Sequence, residues 1–246
     1  MILELDCGNS FVKWRVIPDS SVPPIIEGVA TQAAGIVREL LARDIGKITR
    51  CRLVSVRSDA ETRAIMDVLS ESLKVDIAKV HPAKRTAGVI NGYRDQQRLG
   101  VDRWLAIIAA YDMCGGACLV IDLGTAITVD LVGSNGAHLG GYIAPGAALL
   151  RGQLLAHTRR IHYGAEETAL ALSDVSPGRS TAEAVERGCL IMVRSYIHSQ
   201  IASAEIHLGN DFDTFVTGGD ASLAADFPGV RCVPDLVFRG LAIACP

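Results

Sequence analysis

The sequence predicts an α/β protein made of two similar halves, and three observations carry that reading. An apolar strand ending in Asp-x-Gly opens the chain in "ILELDCGNSFVKWRVI" (2–17), and the phrase returns in "LVIDLGTAITVDLV" (119–132). Strand-like and helix-like periodicities then follow each phrase in the same order. No Gly/Ser/Pro-rich linker divides the two stretches, so residues 1–116 and 117–246 read as halves sharing a helical seam.

The first half begins with strands near 2–7, 12–17 and 25–30. "TQAAGIVRELLARD" (31–44) follows, with Ile36, Val37, Leu40 and Leu41 on one helical face. "CRLVSV" (51–56) is a strand. The next helix has Asp59 in the N-cap position and Ile65, Met66, Leu69 and Leu73 on its buried side. "VDIAKV" (75–80) closes the half. In the second half, strands are expected near 118–123, 127–133 and 138–144, the last two joined by a Gly133-Ser134-Asn135-Gly136 turn. A helix follows Pro145-Gly146, and a long one spans 181–203. The strand "DTFVTG" (213–218), a short helix, the strand "VRCVP" (230–234) and a last helix complete the chain. The order βββαβαβ thus occurs twice, which supports a duplicated α/β fold and no particular function.

With 49 % hydrophobic and 21 % charged residues, the chain has the composition of a protein with a sizeable core. A net charge of −3 argues against a general nucleic-acid binder, and Arg159-Arg160 and Arg50/Arg52 read as solvated faces. The apolar start carries Glu4 and Asp6 and no basic leader, so no signal peptide is expected. The weakly polar stretch from Leu105 to Ile121 is interrupted by Asp112 and two glycines, short of the roughly 20 apolar residues of a membrane span. A soluble, cytoplasmic protein without a membrane partner is expected. The seven cysteines are odd in number and scattered through apolar patterns, as reduced thiols are. Cys114-x-x-x-Cys118 has no second pair or nearby histidine and is no zinc signal.

No G-x-x-x-x-G-K-[ST], G-x-G, H-E-x-x-H or G-x-S-x-G pattern is present. What remains is the twin Asp-x-Gly phrase. A strand that ends this way and turns straight back lets its backbone approach a ligand closely, with amides that can donate to phosphate oxygens. Ser10 and Thr125 add small donors, and Lys13 is within reach of a terminal phosphate. Asp6 and Asp122 would repel a phosphate unless a cation such as Mg²⁺, or its water shell, lay between. A single hairpin of this kind reads more simply as a turn whose Asp bonds its own amides. Two, each ending the first strand of a matching half, favour two grips on the phosphates of a nucleotide. "VTGGD" (216–220) places Gly218-Gly219 after a strand, suited to close approach by an adenosine or to an ordinary turn.

"NGYRDQQRLGVDRWLAIIAAY" (91–111) predicts a helix burying Trp104, Ile107, Ile108 and Tyr111, with Asp102 and Arg103 at its start. Spacing leaves two roles open to Asp102: an N-cap, or a general base for an alcohol attacking a γ-phosphate. Arg103 suits a carboxylate or amide oxygen of that substrate. Ser180-x-x-Glu183 is a capping box, which puts Thr181 at the first helical position, either as a surface residue or as a ligand contact. The six histidines share no spacing and read as core or surface residues.

Taken in order, Asp6, Gly8, Asn9, Ser10 and Lys13, then Tyr93, "LGVDR" (99–103), "DLGTAITVD" (122–130), "GGYIAPG" (140–146), Thr181 and "TGGD" (217–220) resemble the type III pantothenate kinases. These belong to the actin-like, Hsp70-like and sugar-kinase-like superfamily. An Asp-x-Gly-Thr phrase alone would mark only the superfamily; "GVDR" with "DLGTAITVD" and "GGYIAPG" narrows it to the family. The resemblance implies two ribonuclease-H-like halves with an ATP cleft between them, and ATP-dependent conversion of pantothenate to 4′-phosphopantothenate on the way to coenzyme A. It implies ATP contacts from Asp6, Cys7, Gly8, Asn9, Ser10, Phe11, Val12, Lys13 and Thr125, with Asp6 near Mg²⁺. Asp102 would be the proton acceptor. Tyr93, Gly100, Val101, Asp102, Arg103 and Thr181 would line the pantothenate site, and Asp122 would help hold a monovalent cation, K⁺ or NH₄⁺. A homodimer is implied as well. Departures are small: Cys7 replaces an aliphatic residue, Ser10 a threonine, and Gln97 stands where the family often has proline, which would loosen the loop after Tyr93. Longer actin-like or Hsp70-like ATP switches need inserted domains that 246 residues do not accommodate. An idle relative acting as a regulator, or a kinase for another small molecule, are the remaining rivals; Asp102 counts against the first and Tyr93 with "GVDR" against the second.

Overall fold

β1 (Ile2–Cys7) is almost wholly buried because it lies in the middle of a five-stranded sheet. β2 (Val12–Ile17) returns antiparallel beside it and β3 (Ile26–Ala30) extends that edge, while β4 (Arg50–Ser55) and β5 (Ile77–Lys79) join in parallel on the other side. The computed structural model describes residues 1–18, 24–43, 45–172 and 174–246. In its second sheet the strands are β8 (Cys118–Leu123), β9 (Ala126–Val132), β10 (His138–Pro145), β11 (Asp213–Thr217) and β12 (Val230–Cys232). The orders β3-β2-β1-β4-β5 and β10-β9-β8-β11-β12 match position by position, with matching strand directions about β1 and β8. The duplication expected from the twin phrases is therefore present in the fold.

The chain forms two compact units. The first contains Met1–Gly115, Asn135–His138 and Asp235–Pro246, and its sheet is covered by α1 (Ala33–Leu41) and α2 (Asp59–Leu73) over a core of Leu3, Leu5, Trp14, Ile36, Leu53 and Leu69. The second contains Gly116–Ser134 and Leu139–Pro234. Its core joins Leu119, Ile121, Ile127 and Val129 of the sheet to Val193 and Ile197 of the long helix α6 (Thr181–Leu208).

Several local expectations are corrected. Leu41 is exposed, because α1 ends there and Ala33 takes the fourth place on the buried face; Asp44 of the expected helix lies outside the described residues. Ser58, not Asp59, caps α2: its hydroxyl accepts from the Glu61 amide while Glu61 accepts from the Ser58 amide. Met66 and Leu73 are only half-buried, and Thr62 reaches the core instead, its hydroxyl 2.7 Å from that of Ser55. The loop before residue 101 holds a small hairpin, β6 (Arg85–Thr86) with β7 (Val89–Ile90), too short to leave a periodic signal. Between β10 and β11 the chain places α4 (Ala147–His157) and α5 (Ala165–Ala171) ahead of α6.

The last helix, α7 (Leu236–Ala244), packs in the first unit against α3 (Val101–Cys114). Gly240 permits the approach: a Cβ there would stand 2.0 Å from the Leu105 carbonyl oxygen. Charge fastens the same helix. Glu4, fully buried on β1, accepts from Arg15 Nε and, at 2.6 Å, from Arg52 Nε. Arg15 continues to Asp235 at 3.2 Å and lies over the Phe238 ring, and Arg52 donates to the Cys245 carbonyl at 2.6 Å. Glu4→Ala would leave two buried guanidiniums without their carboxylate, a loss expected to cost about 3–5 kcal/mol. Urea unfolding of wild type and variant checks this, and an unchanged midpoint would remove Glu4 from the fold's essential contacts.

Candidate active site

The first Asp-x-Gly hairpin is a turn over Gly8–Phe11 between β1 and β2. Its ends are fixed from below: Arg57 donates through Nε to the Gly8 carbonyl at 2.8 Å, and the Val56 amide donates to the Cys7 carbonyl at 3.1 Å. Asn9, Ser10 and Phe11 are exposed, whereas the Cys7 and Val12 side chains are wholly buried and leave only their backbones for a ligand. Asp6 and Lys13 are paired across the ladder, both half-buried. The Cys7 thiol is pushed up to about 12, chiefly by burial, with the Asp6 carboxylate also raising it and Arg57 opposing. At the tip of β1, then, the chain presents amides and small polar groups over an inert thiol.

The second cluster also belongs to the first unit. Gly100 is the N-cap of α3, so Asp102 is the second residue of the helix and not its cap. A carboxylate there is favoured by the positive end of the helix dipole, and its Oδ1 accepts from the Arg103 amide at 2.8 Å. From Val101 to Ala110 every residue except Asp102 is buried. Glycine at position 100 keeps that carboxylate uncrowded, since a Cβ would lie 2.7 Å from Asp102 Oδ1. Tyr111, expected on the buried face with Trp104, Ile107 and Ile108, is only half-buried, because it reaches past the core to Gly88 and Gly136.

Arg103 is buried and donates to the Tyr93 hydroxyl at 2.6 Å. The loop that carries Tyr93 is tied internally. Asn91 accepts from the Tyr93 amide at 3.0 Å and donates to the carbonyls of Ala83 and Gln96. Gln97, where a looser loop was expected, bonds the Pro82 carbonyl at 3.2 Å, and its amide is held by Asp95. Tyr93 thus stands on a firm wall, beside an open cavity of about 570 Å³ lined by Gly92, Tyr93, Arg94, Asp95 and Arg98.

In the second unit, β8 and β9 repeat the hairpin. Asp122 pairs with Thr128 on one side and Thr217 on the other, and Thr125 at the tip is exposed. Two glycines press against this turn. A Cβ on Gly146 would meet the Gly124 oxygen at 2.1 Å; one on Gly218, whose φ is +96°, would meet Asp122 Oδ1 at 2.4 Å. The "GGYIAPG" and "TGGD" segments therefore shape the second Asp-x-Gly turn from two sides. Thr181 is the exposed first residue of α6, behind the Ser180–Glu183 capping box expected from the sequence. Arg57, Arg94 and Arg98 carry no site signal of their own in one sequence and emerge only from the fold.

Over residues 2–203 the chain matches the type III pantothenate kinase family. It is 54 % identical, over 100 % of its own length and 99 % of the relative's, to a type III pantothenate kinase from Pseudomonas savastanoi pv. phaseolicola. The chain belongs to the type III pantothenate kinase family. Among solved structures, it superposes with a TM-score of 0.60 on a protein from Campylobacter jejuni assigned to the Baf family of transcriptional activators, at 21 % identity and covering 98 % of this chain and 95 % of the other. A Sinorhizobium meliloti protein assigned as a 2-dehydro-3-deoxygalactonokinase gives 0.57 at 17 % identity, covering 99 % and 98 %. These likenesses extend over nearly the whole chain and concern the fold alone.

Burial also raises the Cys51 thiol to about 12, with Cys7 nearby adding to the effect. Against an ordinary value of 9.0, both thiols stay protonated in the fold after the unfolded chain has ionised. Their contribution to stability is therefore fully present below pH 9 and falls as the pH rises from there toward 12. Urea midpoints taken on both sides of pH 9 should diverge from those of a Cys7→Ala/Cys51→Ala variant only on the alkaline side; parallel curves would contradict the shifts.

Proposed function

We propose that this chain transfers the γ-phosphoryl group of ATP to the primary alcohol of pantothenate, releasing ADP and 4′-phosphopantothenate, the entry step to coenzyme A. The observation that carries the reading is Asp102: a carboxylate kept at the solvent boundary by an otherwise buried helix start, one residue from the Arg103 that bonds Tyr93 on the cavity wall. Membership of the family supports the substrate pair.

Asp102 acts as general base. It takes the hydroxyl proton as the new O–P bond forms and the bond from the γ-phosphorus to the ADP oxygen breaks. Arg103 and Tyr93 orient pantothenate, with Gly100 and Val101 shaping the approach and Thr181 adding a hydroxyl. The residues from Asp6 to Lys13 bind the triphosphate through turn amides, Ser10 and Lys13, and Thr125 is a further ATP contact. In this reading the first unit is the phosphate-loop and general-base half and the second carries the other phosphate loop and the adenosine motif.

The residues present fit the cations this reading needs. Among the described residues no three His, Cys, Asp or Glu side chains form a metal cluster. A Mg²⁺ held by the nucleotide's own oxygens and one carboxylate needs none, and half-buried Asp6 at the strand end suits that task. Asp122 suits K⁺ or NH₄⁺. When bound, these ions offset phosphate charge during transfer.

A second copy of the chain is the partner. Leu139, Tyr142 and Ile143 on β10 and Ile191 and Met192 on α6 leave large apolar side chains exposed on the second unit. Tyr142 lies near enough to Tyr196, one turn beyond Met192, to help raise its phenol, after burial. In this reading the chain works in the cytoplasm, where its seven cysteines stay reduced.

The deciding assay is ADP release with ATP, Mg²⁺ and pantothenate, with and without K⁺ or NH₄⁺. Turnover should need pantothenate and the monovalent ion, and Asp102→Asn should lower kcat by roughly 10²–10⁴-fold. Full activity in that variant would remove Asp102 as the base. Separately, Ile143→Asp with Ile191→Asp should shift the sedimenting species from dimer to monomer; wild-type protein that sediments as a monomer would contradict the dimer.

A further inference from the structure

The segment Asn135–His138 runs from the turn after β9 to the first residue of β10, yet it packs in the first unit, against the loop that carries Tyr93. The attachment is made by backbone. The Ile90 amide donates to the Gly136 carbonyl at 2.8 Å, and Ile90 and Ala137 form a parallel bridge. Asn135 stiffens the segment by accepting from the Ala137 amide at 3.0 Å. Two glycines make the approach possible. A Cβ on Gly136, whose φ is +78°, would stand 2.3 Å from the Gly88 oxygen, and one on Gly92 would stand 1.8 Å from the His138 oxygen. Such contacts leave no room for the segment to shift.

They deliver one side chain. His138 is buried, 3 % exposed, and its ring stacks on Tyr93 with centroids 6.0 Å apart and planes inclined by 12°. The guanidinium of Arg103 lies over the Tyr93 ring at 5.5 Å and donates to its hydroxyl. Tyr93 is thus bounded by an imidazole, a guanidinium and the open cavity that it lines.

We infer that His138 is a positioning residue of the acceptor pocket: by stacking on Tyr93 it fixes that ring, and through it Arg103, in the orientation that binds pantothenate. The inference rests on the pantothenate reading above and adds a residue from a different part of the chain. Stacking is the property that matters, so a ring without nitrogen should serve.

Three proteins test this: wild type, His138→Ala and His138→Phe. An aromatic pair of this kind predicts that His138→Ala raises the KM for pantothenate by roughly three- to tenfold. The KM for ATP and kcat should stay within about twofold, the signature of lost substrate binding. His138→Phe should restore the wild-type KM. Independently of turnover, the ¹³C ring resonance of Tyr93, assigned with Tyr93→Phe, should move in the alanine variant and return toward wild type in the phenylalanine variant. A KM unchanged by His138→Ala, a phenylalanine variant as impaired as the alanine one, or an unmoved Tyr93 resonance would each overturn the inference. Wild-type protein that forms no ADP with pantothenate would overturn the functional reading instead, while the resonance would still report whether His138 holds the ring.

Discussion

A carboxylate with no exposure to water, Glu4, is the contact on which the first unit depends. An isolated charge at that depth would be prohibitive, and two guanidiniums make it tolerable. Their remaining donors then have to be used, and they are used on the end of the chain: Asp235, the Cys245 carbonyl and the face of Phe238. Glu4 therefore does more than neutralise its partners. It fastens α7 to the sheet, and α7 in turn supports α3 through the close contact of Gly240 with Leu105. Asp102 and Arg103 stand at the start of that supported helix.

Glycine sets the second constraint, through the space it leaves. Gly100 keeps room around Asp102, Gly218 lets a neighbouring turn pass Asp122, and Gly92 lets His138 come beneath Tyr93. At Gly92 and Gly218 backbone approaches backbone at distances that any side chain would forbid, while at Gly100 the space is left for the Asp102 carboxylate itself. Such placement is stiff because it does not depend on rotamers. It suits groups that must meet a substrate without reorganising first.

The duplication was legible in the sequence because its signal is periodic and repeated: two apolar strands broken by Asp-x-Gly, followed by the same order of elements. The capping box at Ser180 was legible for the same local reason, since Glu183 lies three residues on. Elsewhere, local rules were incomplete. Asp59 and the Ser58 directly before it are equally good capping residues by type, and only the bond geometry separates them. Asp102 could be read as a cap, but the cap of α3 is Gly100, two residues earlier. His138 carried no signal at all. Its partner is Tyr93, distant in sequence, and the bonds that bring them together are made by main chain that any residues would supply.

The two halves also differ where their chemistry would require it. α3 follows the fifth strand of the first sheet, and α7 follows the fifth strand of the second. They occupy equivalent places in the duplicated order and pack on one another. Their first turns are nevertheless opposite in character. α3 begins Val101-Asp102-Arg103, and α7 begins Leu236-Val237-Phe238 with no acid in its first turn. A symmetrical pair of helices would place two such carboxylates, although the proposed transfer to one alcohol needs a single base. The second helix has instead become apolar support: Leu236 and Leu241 are fully buried, and Phe238 lies beneath Arg15. Within the first unit, one copy of the helix carries the Asp102 carboxylate in its first turn and the other packs against it.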